Sequence, residues 1–153
     1  MAQQKITPFL WFDNHAEEAA KFYVSLFADS AITSITPGPT GMAQVVEFRL
    51  AGSRFLALNG GPVFKFNESV SLSIDCHSQA EVDELWEKLS AGGSKSRCGW
   101  LKDKYGLSWQ VIPTALAQLM SSPDRSQAAR VMQAMMQMGK LDIAALQAAA
   151  DGK

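Results

Sequence analysis

Cysteine and histidine are scarce in this sequence of 153 residues, which contains two of each. Cys76 and Cys98 are too few for a disulfide framework in a chain of this size, and they lack the CxxC spacing of a zinc site. We expect both to be buried free thiols, as unpaired cysteines commonly are. His15 and His77 each follow a predicted strand near a helix start, without partners for a metal site, so we expect them to be structural or exposed to solvent.

The sequence also lacks long apolar runs and an excess of one charge. No run approaches the ~20 residues of a membrane helix, and the opening Met1–Lys5 leads into a predicted strand instead of a signal-peptide core. The 14 basic residues are scattered among 15 acidic ones without a basic stripe, which argues against nucleic acid as a partner. We therefore expect a cytoplasmic protein, with one domain over residues 1–153 and no membrane partner.

Several catalytic signatures are missing as well. There is no Gly-x-Ser-x-Gly elbow, no phosphate-binding P-loop and no Cys/His pair at a plausible catalytic spacing. The sequence therefore says more about architecture than about a reaction.

The stretch from Cys98 to Pro113 predicts a β-hairpin. Two short apolar runs, Gly99–Leu101 and Leu107–Ile112, flank a four-residue segment that begins with Asp103 and ends with Gly106. Asp at the first position and Gly at the fourth are typical of a type I turn. A similar hairpin is predicted for 45–59, around the segment 51–53.

Each hairpin follows a strand and a helix. The first copy has a strand at Ile6–Phe12, an Asn14/Glu17 capping box that predicts a helix from near His15, and a second strand at Ala31–Thr36. The expected inner face of the helix comprises Ala16, Ala19, Phe22, Tyr23, Leu26 and Phe27. The second copy has a strand at Val70–Cys76 and a Ser78/Glu81 capping box, followed by a helix to about Ala91 with Val82, Leu85, Trp86 and Leu89 on its apolar face. An offset of 64 residues relates Asn14 to Ser78.

This internal repeat predicts an α+β fold of two βαβββ modules, at about 5–60 and 68–113, with a helical tail over 114–153. Tail helices are expected at Leu116–Met120, from Asp124 to Met138, and at Leu141–Ala150. The methionine-rich stripe at 131–138 favours core or dimer packing. Each module leaves one sheet face uncovered, so pairing of modules would enclose a cavity. We expect a homodimer, and the sequence leaves open whether modules pair within one chain or across the dimer.

Several segments together resemble one family. They are Thr7–Phe12, Ala57–Pro62, Cys98–Asp103, Gly106–Pro113, Val131–Met135 and Leu141–Leu146. The chain is similar over nearly its whole length to the PhnB-like branch of the vicinal oxygen chelate superfamily, whose members include glyoxalases, bleomycin resistance proteins and ring-cleaving dioxygenases. This branch is often labelled 3-demethylubiquinone 3-methyltransferase-like.

The resemblance implies positions for a divalent metal, which members of the superfamily bind on strand residues, usually His and Glu. These positions correspond here to Pro8, approximately Ala57, Ser69 and Gln110, of which only Gln110 has a side chain able to bind a metal. We therefore predict no metal site. The methyltransferase label has no support either, because Gly60-Gly61 runs into Pro62 and not into a helix, as a glycine-rich cofactor loop would. We predict no cofactor.

Glu47 and Gln110 are the polar candidates for a cavity. Glu47 alternates with Val46 and Phe48, so it lies on the opposite face of its strand, where it would serve as a base or form a solvated pair with Arg49. Gln110 lies in an otherwise apolar strand, and we expect its side chain to point into the cavity and to need a partner there.

Aromatic and amide side chains are the other candidates for ligand binding. Trp11, Phe66, Trp100 and Trp109 would form an aromatic wall for a planar ligand, or would simply fill the cores. Asn59, beside the Gly60–Pro62 connector, would hydrogen-bond a ligand at the rim, or would form a turn.

We therefore predict a metal-independent protein that binds a small molecule. The ligand would stack on Trp11, Trp100 or Trp109 and bond to Gln110 or Asn59. The alternative is an enzyme that acts on a small oxygenated metabolite or antibiotic, with Glu47 as its base. A raised pKa of Glu47 would favour the enzyme, because a general base works best near ambient pH.

Overall fold

The computed structural model describes residues 3–153 of the chain and has an α+β architecture. In these residues it contains two four-stranded sheets and five helices. The chain divides into two compact units, Met1–Phe66 and Asn67–Lys153, and each carries one of the sheets. No helix in the described range combines the length and the apolarity that a membrane crossing requires.

The first unit contains one helix and four strands. In chain order they are β1 (Phe9–Phe12), α1 (Ala16–Val24), β2 (Ala31–Pro37), β3 (Ala43–Leu50) and β4 (Ser53–Asn59). The sheet order is β1-β4-β3-β2, with β1 parallel to β4 and the other pairs antiparallel. The strand alternation in β3 buries Val46, Phe48 and Leu50 on one face. The helix α1 contacts β3 and buries Ala16, Ala19, Ala20 and Tyr23.

The second unit repeats this topology. Its elements are β5 (Ser71–Cys76), α2 (Gln79–Ser90), β6 (Ser94–Lys95), β7 (Trp100–Lys102) and β8 (Ser108–Pro113), in the sheet order β5-β8-β7-β6. The strand β5 is parallel to β8, as β1 is to β4. The predicted βαβββ repeat is thereby confirmed, although β6 has only two residues where β2 has seven.

Three helices complete the second unit: α3 (Thr114–Met120), α4 (Arg125–Met136) and α5 (Ile143–Ala150). Their core is formed by Val131, Leu146 and Ala150, with Met135 and Met138 packed against it. Two of the methionines in the predicted stripe, Met132 and Met136, are exposed instead. Most of the stripe therefore serves the core of this unit.

The tail is joined to the rest of its unit by backbone and side-chain hydrogen bonds. Cys98 donates its N–H to the Met138 carbonyl over 2.8 Å, and Gly99 donates to that of Gly139 over 2.9 Å. The Gln79 side chain donates to the Leu141 carbonyl over 3.0 Å and accepts from the Ile143 N–H over 2.8 Å. The helical tail is therefore bonded both to the first residue of α2 and to the segment that precedes β7.

The two predicted capping boxes have different outcomes. Ser78 accepts a hydrogen bond from the Glu81 N–H over 3.1 Å, as predicted, and Glu81 in turn accepts from the N–H of His77 over 2.8 Å. The Asn14 cap is wrong: α1 begins after His15, and the N–H of Ala16 donates instead to the Asn59 side chain over 2.8 Å. The helix also ends at Val24, so Leu26 and Phe27 lie outside it.

Candidate functional site

One face of the second sheet carries a group of polar side chains around a tryptophan. Trp100 is the register partner of Gln110, and Lys102 is the register partner of Ser108, so all four residues lie on the same face of the β7–β8 hairpin. Trp109 and Val111 alternate with these residues along β8 and are buried on the opposite face of the strand, and α2 contacts both β7 and β8.

A cavity of about 250 Å³ opens on this polar face. It is lined by Glu68, Ser94, Lys95, Ser96, Trp100, Leu101, Lys102 and Ser108, all from the second unit. Its volume lies below the roughly 300–1,000 Å³ typical of sites for drug-sized ligands.

Ser108 is a lining residue whose hydroxyl lacks a hydrogen-bond partner. The residue is 1 % exposed, and no described protein group is bonded to its hydroxyl. An unpaired buried hydroxyl costs about 1–3 kcal/mol relative to a paired one. Less than 1 Å² of the Ser108 hydroxyl oxygen is exposed, so a ligand in the cavity would reach it only after a neighbouring side chain moves.

Charge in the cavity comes from two lysines and one glutamate. Lys102 forms an ion pair with Glu68, and Lys95 forms one with Glu87 over 2.8 Å. The hydrogen bond from Lys102 lowers the pKa of Glu68, so this carboxyl is ionised at neutral pH. Glu68 is exposed, and it lies in a turn where Asn67 accepts hydrogen bonds from the N–H and hydroxyl of Ser69.

The hairpin that carries these residues is fixed by a buried carboxylate. Asp103 is 2 % exposed, and its side chain accepts from the backbone N–H groups of Tyr105 at 2.8 Å and Leu107 at 3.1 Å. The same carboxylate accepts from the indole N–H of Trp109 over 2.9 Å. The predicted type I turn is also present, since Gly106 donates its N–H to the Asp103 carbonyl over 2.9 Å.

Trp109 and Gln110, both predicted to bind a ligand, are separated by this arrangement. Trp109 is 2 % exposed on the helix-facing side, so its ring belongs to the core and does not line the cavity. Gln110 lies on the polar face, half-buried, and donates to the Ser71 hydroxyl over 2.9 Å. Gln110 is thus next to the cavity residues without lining the cavity itself.

The first unit has its own open face, with Glu47 at its centre. The register places Glu47 opposite Leu56 and Ser34, with Arg54 at the next position of β4 on this face. Arg54 donates to Glu47 through Nε at 2.8 Å and Nη2 at 3.2 Å. The expected Glu47–Arg49 pair is therefore wrong, because Arg49 pairs with Asp29 over 3.2 Å.

This pairing changes the acidity of Glu47. The hydrogen bonds from Arg54 lower its pKa from the ordinary value of 4.5, and burial opposes them only in part. A lowered pKa leaves Glu47 ionised at neutral pH but makes it a weak proton acceptor, the opposite of the shift that a general base requires.

Trp11 lies on the same open face, and its ring is in contact with the loop that follows β4. Its indole N–H donates to the Gly61 carbonyl over 2.9 Å, and the ring of Phe64 meets it edge-on with centroids 4.9 Å apart. Gly60 allows this approach, since a Cβ there would lie 2.3 Å from the Trp11 ring. Half of the Phe9 residue is exposed nearby, at 51 %.

The other two candidates of the first unit have partners inside it. Phe66 packs edge-on against the buried Phe12, with centroids 5.2 Å apart, and so lies on the other side of β1 from Trp11. The Asn59 side chain accepts from the N–H of Ala16 and donates to the Ala43 carbonyl over 2.7 Å. Both polar atoms of this amide are therefore used to join α1 to the sheet.

The metal positions implied by the superfamily do not fit a divalent ion. Pro8 and Ala57 offer no side-chain donor, Ser69 bonds to Asn67, and the Gln110 amide bonds to Ser71. Within residues 3–153 no three His, Cys, Asp or Glu side chains come together in a way that could hold a metal ion. Both histidines are exposed, and His15 pairs with Glu18 over 3.1 Å.

Of the residues predicted to bind a ligand, only Trp100 lines this cavity, and its neighbours there were not predicted. Lys102 and Ser108 could have been found, because they alternate with Trp100 and Gln110 along the two strands of the predicted hairpin. Glu68 gave no such signal, since it reaches Lys102 from a turn before β5 whose position no local pattern predicts.

Comparison with known proteins shows which family and fold this chain resembles. A family model described as 3-demethylubiquinone-9 3-methyltransferase matches residues 4–112, which leaves the helical tail outside the match. The PhnB protein of Bacillus cereus is 35% identical, with a TM-score of 0.69, and the match covers 72% of this chain and 100% of that one. No curated protein gives a significant match.

More distant solved structures share the fold. Protein PA1353 from Pseudomonas aeruginosa is 19% identical with a TM-score of 0.61, covering 72% of this chain and 98% of its own. The fosfomycin resistance protein FosX from Listeria monocytogenes is 16% identical with a TM-score of 0.59, covering 77% of this chain and 97% of its own.

The duplicated βαβββ topology and these likenesses define a protein of the glyoxalase-like, vicinal oxygen chelate fold. Within that class, the chain belongs to the PhnB-like family whose model is described as 3-demethylubiquinone-9 3-methyltransferase.

Proposed function

We propose that this protein binds a small molecule without a metal, and that the site is the cavity of the second unit. The observation that carries the proposal is a 250 Å³ cavity lined by Trp100, Lys102 and Ser108, in which the hydroxyl of Ser108 is buried and has no described protein partner. Buried polar groups are nearly always paired, so an exception beside a cavity points to a partner that reaches the hydroxyl when a neighbouring side chain moves.

The neighbours of Ser108 supply the other contacts that a ligand needs. Trp100 is half-buried and offers a flat apolar surface to a planar group. Lys102, opposite Ser108 across the hairpin, offers a charged donor. Six of the eight lining residues are polar or charged, so a ligand would be held mainly by polar contacts, with Trp100 as the larger of the two apolar residues.

A fragment screen followed by amide chemical shifts in NMR would test the proposal. We expect planar fragments to move the backbone signals of Trp100, Lys102 and Ser108, and Trp100→Leu and Ser108→Ala to weaken binding. Ser34→Ala, at an exposed serine of β2, is the matched control and should leave binding unchanged. A screen without a hit at these signals, or hits insensitive to both variants, would contradict the proposal.

The alternative of an enzyme with Glu47 as base has less support. Arg54 lowers the pKa of Glu47, whereas a base should have its pKa raised toward neutrality. A methyltransferase activity, which the name of the family suggests, has no cofactor loop in this sequence to support it: Gly60–Pro62 leads on to residues 63–70, which are not helical.

A homodimer in the cytoplasm remains part of the proposal. The exposed Met132 and Met136 on α4 are the side chains of the tail best suited to contact a second copy. Sedimentation of the double variant Met132→Gln/Met136→Gln tests this contact, because a variant that stays fully dimeric would exclude α4 as the interface.

A further inference from the structure

The charges around the cavity bear on the chemical class of its ligand. Of the lining residues, Lys95 and Lys102 are cationic and Glu68 is anionic. Lys102 is 38% exposed and its partner Glu68 is 63% exposed, so the carboxylate is the more accessible half of the pair. An exposed ion pair contributes little stability and is readily exchanged.

We propose that the cavity takes a small organic carboxylate with a planar apolar body, whose carboxylate replaces that of Glu68 on Lys102. In this arrangement the planar body lies on Trp100. The Ser108 hydroxyl is shielded in the ligand-free structure, and displacement of Glu68 lets the Lys102 side chain move so that a carboxylate oxygen accepts the hydrogen bond of this hydroxyl. Glu68 is then an internal competitor that occupies Lys102 when the ligand is absent. The inference rests on the proposed function and adds the charge of the ligand.

The geometry of the hairpin supports a single anionic group at this point. Lys102 and Ser108 are register partners in adjacent antiparallel strands, so their side chains start within a few ångströms of each other on one face. A carboxylate has two oxygens, and one can bond to the ammonium group while the other accepts from the hydroxyl. A neutral amide of the same shape would leave Lys102 without a counter-charge once Glu68 is displaced.

The second lysine of the cavity, Lys95, is not expected to bind the anion, so the anion binds at Lys102. Its partner Glu87 is outside the cavity lining and belongs to α2, so this ion pair can remain in place when a ligand enters. Glu68 is the lining residue whose displacement leaves a cation to be neutralised. The site therefore discriminates by charge through one lysine.

The test compares benzoate with benzamide, which have nearly the same shape and differ in charge. We expect benzoate to shift the amide signals of Trp100, Lys102 and Ser108, and benzamide to bind at least tenfold more weakly. Benzoate affinity should fall as sodium chloride is raised, because salt screens a partly exposed charge. Equal binding of the two compounds, with no salt effect, would overturn the inference and leave the proposed function standing.

Variants at the ion pair give a second, independent readout. Glu68→Gln removes the competitor and should tighten benzoate binding by about two- to fivefold, the range that a surface ion pair accounts for. Lys102→Met should abolish the preference for benzoate over benzamide. Glu84→Gln removes the same charge from an ion pair with Lys88 on the same unit, outside the cavity, and should change nothing.

The failures of the two proposals are distinguishable. If Glu68→Gln weakens or leaves unchanged the binding of benzoate, Glu68 is not a competitor and the inference is wrong. If benzoate does not bind while neutral fragments bind at Trp100, the inference fails and the proposed function stands. If neither benzoate nor any fragment moves these signals, both fail.

Discussion

The indole N–H of Trp109 donates to the Asp103 carboxylate over 2.9 Å, and both residues are 2 % exposed. This bond joins the turn of the β7–β8 hairpin to the helix-facing side of β8. The cavity residues Trp100, Lys102 and Ser108 lie on the other face of the same two strands. The buried side of the hairpin thus holds the polar side in position.

We predict that Asp103→Asn destabilises the protein by about 2–3 kcal/mol. Asparagine has the same shape, but its amide presents an NH₂ group to N–H donors where the carboxylate accepts, and hydrogen bonds to buried charged groups contribute about 1.5–3 kcal/mol. Urea unfolding monitored by circular dichroism measures the loss. Asp75→Asn, at an exposed position of β5, is the control and should change the free energy of unfolding little. An equal effect of the two substitutions would show that Asp103 has no such role.

Ser108→Ala should behave in the opposite way. The hydroxyl is buried without a described protein partner, so its removal should leave the free energy of unfolding unchanged or raise it by up to about 1 kcal/mol. Ligand binding should fall in the same variant. If Ser108→Ala destabilises the protein by more than about 1 kcal/mol, the hydroxyl is bonded within the protein and is not reserved for a ligand.

Local sequence patterns predicted the helices and strands, but they did not predict contacts between residues that are distant in the sequence. Ser78 caps α2 as predicted because cap and acceptor are three residues apart. The cap of α1 comes from Asn59, which is distant in sequence, and no pattern around Asn14 could indicate it. A contact of this kind depends on sheet register, which only the folded chain defines.

The site predictions divide for a related reason. Alternation along β8 already separates Trp109 from Gln110, since adjacent strand residues point to opposite faces, so the two could not line one cavity. Alternation does not say which face a helix covers. Trp109 is therefore in the core, and Trp100 lies on the cavity wall.

Gly60 gives a test of the loop over Trp11. A Cβ at Gly60 would lie 2.3 Å from the indole ring, so Gly60→Ala must displace that ring, and we expect a loss of about 1–3 kcal/mol of stability. The indole N–H signal of Trp11 should shift with it in NMR. Gly41→Ala is the control, because Gly41 has φ of +82° but nothing within 4 Å of its Cβ. That variant should leave the Trp11 signal in place, and the same shift in both would refute the close contact.

The pairing of Glu47 with Arg54 predicts a pH dependence. Arg54 lowers the pKa of Glu47, so the ion pair stabilises the folded state above the unfolded pKa near 4.5 and is lost as the pH falls through the lower folded value. We expect an NMR titration of the Glu47 carboxyl carbon to give a pKa below 4.5, and Arg54→Gln to return it toward that value. A pKa above 4.5 in the unchanged protein would contradict the structure and favour the enzyme with Glu47 as its base.

Metal binding is the prediction that separates this chain from the metal-dependent branches of its superfamily. Pro8, Ala57 and Ser69 stand at three of the four implied ligand positions, and a divalent transition metal requires imidazole, carboxylate or thiolate groups there. We expect protein purified without a histidine tag to contain no stoichiometric metal, and its melting temperature to be unmoved by nickel, manganese, zinc or ferrous ions. An ion present at one hundred times its dissociation constant would stabilise the fold by about 2.7 kcal/mol, which a thermal melt detects easily. If one ion binds stoichiometrically and raises the melting temperature, the implied ligand positions are wrong and an enzyme becomes the better hypothesis.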